Sequence, residues 1–217
     1  QVIQLACERK MKLLAVLACA FAAASACTDG VDNVINLSDC GSASAPAHFS
    51  GLQVWTYDDS ATPVPTCKAN KAGKLVGDVK LPGNIKIASG TVTITGSLGL
   101  DATAKLMLSY AKLNSALIHK VCTKGQSQNF LIPNDACQQP FCTLIGQSFC
   151  DQLNGGGTFT IQNLPASARQ LINLPKLSGL LAFLGSVLSG EWNLGADIFM
   201  GTSDLACLIN TDVIFNE

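Results

Sequence analysis

The chain is short of charge, of histidine and of every motif that marks a catalytic or nucleotide-binding site. Asp, Glu, Lys and Arg make up 13% of its 217 residues, and the formal net charge is −1. No basic stripe with interleaved aromatics is present, so a nucleic-acid partner has no electrostatic footprint here. The 2 histidines, His48 and His119, have no acid or nucleophile at a recognisable spacing and read as ordinary strand residues. Gly146-Gln147-Ser148-Phe149-Cys150 lacks the second glycine of a nucleophile elbow. Glycine-rich phosphate loops, H-E-x-x-H and EF-hand patterns are missing too. Asp58-Asp59 is an adjacent acid pair beside a turn, and a solvated loop explains it; the other carboxylates are too scattered to single out a glycosidase pair. These absences predict a protein that is not an enzyme and that uses no metal or cofactor. Beyond residue 26, no apolar run reaches the roughly 20 residues of a transmembrane helix.

What is present begins at Met11-Lys12. An apolar run from Leu13 to Ala24 leads to Ala24-Ser25-Ala26, small residues at the positions a signal peptidase reads. Residues 1–26 are therefore expected to be leader and secretory signal, and residues 27–217 one domain. Of the 10 cysteines, Cys7 and Cys19 fall in the leader, which leaves 10 − 2 = 8. These are Cys27, Cys40, Cys67, Cys122, Cys137, Cys142, Cys150 and Cys207. An even set behind a signal predicts four disulfides formed in an oxidising compartment. A zinc site at Cys137, Cys142 and Cys150 fits poorly, because zinc knuckles are tighter and come in pairs. The mean hydropathy of +0.32 is high for a secreted protein, so part of the apolar surface is expected to serve a ligand.

Period-two alternation recurs along the chain and predicts an all-β sandwich or barrel. Strands are expected over Val31 to Leu37, His48 to Tyr57, Ile85 to Thr95, Ala104 to Tyr110, Ser115 to Cys122 and Thr158 to Leu164. Glu191 to Met200 and Asp204 to Phe215 read as a hairpin around Gly201-Thr202-Ser203. Thr62 to Lys80, with Lys68, Lys71, Lys74 and Lys80, reads as a long exposed connection. The densely stapled segment from Cys122 to Cys150 is expected to hold little secondary structure. Leu171 to Leu188 breaks the pattern, with no charge from Leu177 onward. It is either a helix packed on the sheet or an apolar flap at a cavity mouth, with Leu180, Leu181, Phe183 and Leu184 meeting lipid or a transient membrane surface; the lack of a polar face favours the flap. Asn36-Leu37-Ser38 is an N-glycosylation sequon.

Three places carry a family resemblance. Asn36 to Ser42 (NLSDCGS) resembles the strand that ends in Asp-Cys-Gly in lipid carriers of the ML (MD-2-related lipid-recognition) family. Leu205-Ala206-Cys207-Leu208-Ile209 is similar to the terminal cysteine strand of that family's ganglioside activators. Leu131-Ile132-Pro133, Cys137, Pro140, Cys142, Cys150 and Gly157-Thr158 follow in the order of their cysteine-rich loop. The resemblance implies an immunoglobulin-like β-sandwich, or β-cup, enclosing an apolar lipid cavity. It implies a secreted or lysosomal protein that extracts a glycosphingolipid, phospholipid or sterol and presents it to a lysosomal glycosidase, or carries it between membranes. The alternative is an ML-type protein that acts mainly by docking on a receptor or host protein. Cys40 is expected to pair with Cys207, closing the longest loop; the other expected pairs are Cys27–Cys67, Cys122–Cys150 and Cys137–Cys142. Strand alternation nominates Val54, Ile87, Val92, Ile94, Leu106, Leu108, Ile118, Phe159, Ile161, Leu194 and Ile198 as lining for a cavity of roughly several hundred Å3.

Overall fold

A computed structural model describes residues 27–113, 115, 119–128, 130, 132–163, 169–174 and 189–216. The alternating stretches become strands, because successive side chains of an extended backbone point to opposite faces and only one face has to leave water. In chain order they are β1 (Val34–Asp39), β2 (Ala47–Tyr57), β3 (Cys67–Ala69), β4 (Leu75–Lys80), β5 (Gly83–Ile94), β6 (Lys105–Lys112), β7 (Lys120–Thr123), β8 (Gln126–Ser127), β9 (Gln138–Pro140), β10 (Gly157–Thr160), β11 (Ile172–Leu174), β12 (Gly190–Met200) and β13 (Ser203–Asn216). A 3-10 turn, Asn134–Cys137, precedes β9, and two short helices follow it, Phe141–Ile145 and Gln147–Asn154. The fold is all-β and stapled by four disulfides.

Strands β10, β5, β2 and β1 lie side by side, with β11 also on β5. Strands β13, β12, β6, β7 and β8 form a second run, with β9 on β6 and β4 parallel to β13. Strand β1 belongs to both. Residues 34–37 pair with β2, and then Ser38 and Asp39 pair with Ile209 and Leu208 of β13. The strand thus hands the chain from one sheet to the other. Directly beyond it the Cys40 N–H donates to the Cys207 carbonyl at 3.1 Å, and the two residues share a disulfide. Apolar residues of both sheets meet between them in one core cluster that includes Ala47, Ile94, Leu205 and Ala206.

Cys27–Cys67 and Cys40–Cys207 are the pairs expected from the sequence. The middle four cysteines correct it: Cys122 bonds Cys137, and Cys142 bonds Cys150. The reason is local structure. The segment is not irregular, as its disulfide density suggested. Its 3-10 turn brings Cys137 to a Cα distance of 5.7 Å from Cys122 on β7, and consecutive helices place Cys142 and Cys150 5.5 Å apart. Residues 62–80 are a second correction. Their four lysines are exposed, yet they hold β3 and β4, with Val76 and Val79 buried. Gly77 makes this packing feasible, because a Cβ there would lie 2.8 Å from Ile35 Cγ1. The expected strand from Thr158 also ends early, turning 3-10 at Ile161. The expected leader (residues 1–26), Ile118 and the flap residues Leu180, Leu181, Phe183 and Leu184 lie outside the described residues.

Candidate functional site

Cross-strand pairing gathers apolar side chains on the facing surfaces of the two sheets. On β2 and β5, Ala47 lies opposite Ile94 and Phe49 opposite Val92. On β6, β12 and β13, Ile198 lies opposite both Leu106 and Ala206, and Ala196 opposite Leu208. Directly opposed residues share a face, so each set forms one continuous apolar wall. The walls enclose a cavity of about 200 Å3. Leu52 reaches it beside Gly90, where β5 shifts register against β2. Gly90 has φ +141°, and a Cβ there would stand 2.7 Å from Leu52 Cδ1. Glycine is therefore what lets the two strands close at this point.

The third wall comes from the cysteine-rich segment. Phe141, Ile145, Phe149 and Leu153 recur every four residues and all line the cavity. That is the spacing of one helical face, continued here across a break at Gly146, whose φ is +89°. The Cys142–Cys150 disulfide ties the two helices together, and Phe149 meets Phe159 of β10 edge to face, with centroids 6.3 Å apart. The Asn154 side-chain amide accepts from Leu100 N–H at 2.6 Å and donates to Leu100 C=O at 2.7 Å, so the second helix is docked onto the loop after β5.

Polar groups are scarce in this wall. Ser89 Oγ donates to the Gly51 carbonyl at 2.8 Å, and Thr160 Oγ1 donates to Asn163 Oδ1 at 3.2 Å. Among the described residues that line the cavity none has a titratable side chain. The perturbed carboxylates lie elsewhere. Burial works to push Asp39 up, but hydrogen bonds from Gly41, Phe49 and His48 outweigh it and hold the carboxyl below its usual range. Asp78 is pushed up by burial, against the hydrogen bond from Asn216. Asp197 is pushed up by burial and then by the neighbouring Asp204, with Lys124 opposing. Asp197 alternates with Ala196 and Ile198 on β12 and so sits on the face turned away from the cavity. Among the described residues no group of three or more Cys, His, Asp or Glu is placed to hold a metal ion.

Seven of the nominated side chains line the cavity: Ile87, Val92, Ile94, Leu106, Phe159, Ile161 and Ile198. Val54, Leu108 and Leu194 do not. Leu108 and Leu194 are on the inward face, opposite Ala196 and Tyr110. Leu194, however, packs with Trp192 and Phe215, and Val54 packs with Ile35, Val79 and Val213, where the space between the sheets is filled. The rings of Tyr110, Trp192 and Phe215, with centroids 6.1 and 6.3 Å apart, occupy that end. The cavity is confined to the other end and is smaller than expected. The four helical residues were missed, although their four-residue spacing was present in the sequence. Asn36 lies exposed on β1, its Oδ1 accepting from Gln53 Nε2 at 3.0 Å.

No protein-family model matches the chain, and a search of curated proteins found no match.

Proposed function

We propose that this chain binds a lipid between its two sheets, as an ML-type carrier does, and presents or transfers it without catalysing a reaction. The observation that carries the reading is the cavity: apolar walls from two sheets and two helices, with no titratable side chain among its described lining. A site of this kind compensates a lipid chain for leaving a bilayer, at ~0.8 kcal/mol for each methylene buried. Its described lining holds two hydroxyls, Ser89 and Thr160, each donating to an amide oxygen, and no acid or base beside them to activate either. The four disulfides are compatible with an oxidising, extracellular type of compartment. Secretion through residues 1–26, a glycan on the exposed Asn36, and delivery of the lipid headgroup to a lysosomal glycosidase or another membrane belong to the same proposal.

The test is to purify the protein from secreting cells, extract it with organic solvent and analyse the extract by mass spectrometry. A lipid in near-equimolar amount to the protein is expected, and the delipidated protein should reload from vesicles. A folded, fully oxidised protein that yields no lipid and takes up none would overturn the reading and leave docking on another protein as the function.

A further inference from the structure

We infer that the cavity accepts one unbranched alkyl chain, and that the polar end of the ligand stays outside. The inference rests on the lipid-binding reading and narrows it to single-chain lipids, which sets aside two-chain glycosphingolipids as the cargo. Size is the first reason. A dry cavity of roughly 150 Å3 lined by Leu, Ile and Phe holds one benzene molecule, so about 200 Å3 takes on the order of eight carbons on the same scale. Two acyl chains, or the fused rings of a sterol, exceed that space.

The second reason is the state of the wall's hydroxyls. Ser89 Oγ is committed to Gly51 and lies 3.2 Å from Gln53 Oε1, and Thr160 Oγ1 is committed to Asn163. A ceramide amide drawn inside would lose its water, and its carbonyl would find both side-chain O–H donors of the described lining already committed. A sterol hydroxyl would find only their oxygens to donate to and no O–H to accept from, and a polar group under-paired in this way is costly. The third reason is the rigidity of one side. The helices carrying Phe141 and Phe149 are joined by Cys142–Cys150, and Phe149 is braced on Phe159. Widening the slot for a second chain would have to separate these groups. The ligand class is therefore a single-chain amphiphile. A free fatty acid and a lysophospholipid share that chemistry.

The experiment is calorimetric titration of the full-length, delipidated, oxidised protein with hexanoic, octanoic, decanoic, dodecanoic and hexadecanoic acids. Lysophosphatidylcholines of matching chains, a ceramide and cholesterol are titrated in parallel. Affinity should rise about fourfold for each added methylene and level off near the octanoic or decanoic member. Fatty acid and lysophospholipid of equal chain length should bind within about tenfold of each other, and ceramide and cholesterol about tenfold or more weakly than the best single-chain ligand. Ala196→Phe, which adds a ring to the wall, should move the plateau to shorter chains. Leu106→Ala, which enlarges the slot, should move it to longer ones, so that one informative variant survives if the other fails to fold. Ceramide or cholesterol binding as tightly as the best fatty acid would overturn the inference and leave lipid binding standing. A headgroup preference well beyond tenfold would overturn the claim that the polar end stays outside. Binding of none of these ligands would overturn both readings.

Discussion

The carboxylate of Asp39 accepts three hydrogen bonds, from Gly41 N–H at 2.7 Å and from Phe49 N–H and His48 Nδ1 at 2.9 Å each. It fastens the end of β1 to the start of β2, one residue before Cys40. Its folded pKa is lowered, so its contribution is complete above its unfolded value of about 3.9. That contribution fades as pH falls below that value and is lost once pH has passed through the lower folded value. Asp39→Asn should therefore lower Tm at neutral pH, and the difference from the native protein should close on acidification through that window. Asp197 works in the opposite direction. Its folded pKa is raised, so ionising it costs stability above the folded value, and the cost is relieved as pH falls toward about 3.9. Asp197→Asn removes a charge that is 5% exposed and sits beside Asp204. It should raise Tm at neutral pH and make no difference below the unfolded value. Thermal melts of both variants at several pH values check the two signs together.

At the scale of elements, the two short helices matter more than their length suggests, because they close the cavity and stand on few supports. Asn154→Ala removes both hydrogen bonds to the Leu100 backbone and leaves those groups part-buried. A loss of about 1–3 kcal/mol is expected, read as a shifted urea midpoint with an unchanged slope. The Cys142–Cys150 bridge closes a separation of only 8 residues, so replacing both cysteines by Ser should cost roughly 2.5 kcal/mol by loop closure. Alkyl-chain affinity should fall in the same variant, because a wall has been loosened. The β12–β13 hairpin was legible in the sequence because its alternation is long and its turn residues are unambiguous. Strand β4 was not, because Lys68, Lys71, Lys74 and Lys80 dominate the local composition while Val76 and Val79 carry the burial. The helices were hidden by their own cysteines, which drew the segment toward an irregular, stapled loop.

At the scale of the whole molecule, Cys40–Cys207 spans a separation of 167 residues and ties the strand shared by both sheets to the last one. Loop closure over that span amounts to roughly 5 kcal/mol. The Cys40→Ser, Cys207→Ser pair should thus cost about twice as much as loss of Cys142–Cys150 in guanidinium unfolding of otherwise oxidised protein. The sequence by itself determined the all-β character, the inward faces of the main strands and the number of disulfides. Alternation at period two and an even cysteine count are local properties, legible without knowing what packs against what. Only the tertiary structure decided which inward residues meet solid core and which meet open space. Leu194 and Ile198 sit on one face of one strand, yet Leu194 packs with Trp192 and Phe215 while Ile198 lines the cavity. That difference depends on the side chains facing each of them from other elements, a relation between distant residues that no periodicity along the chain records.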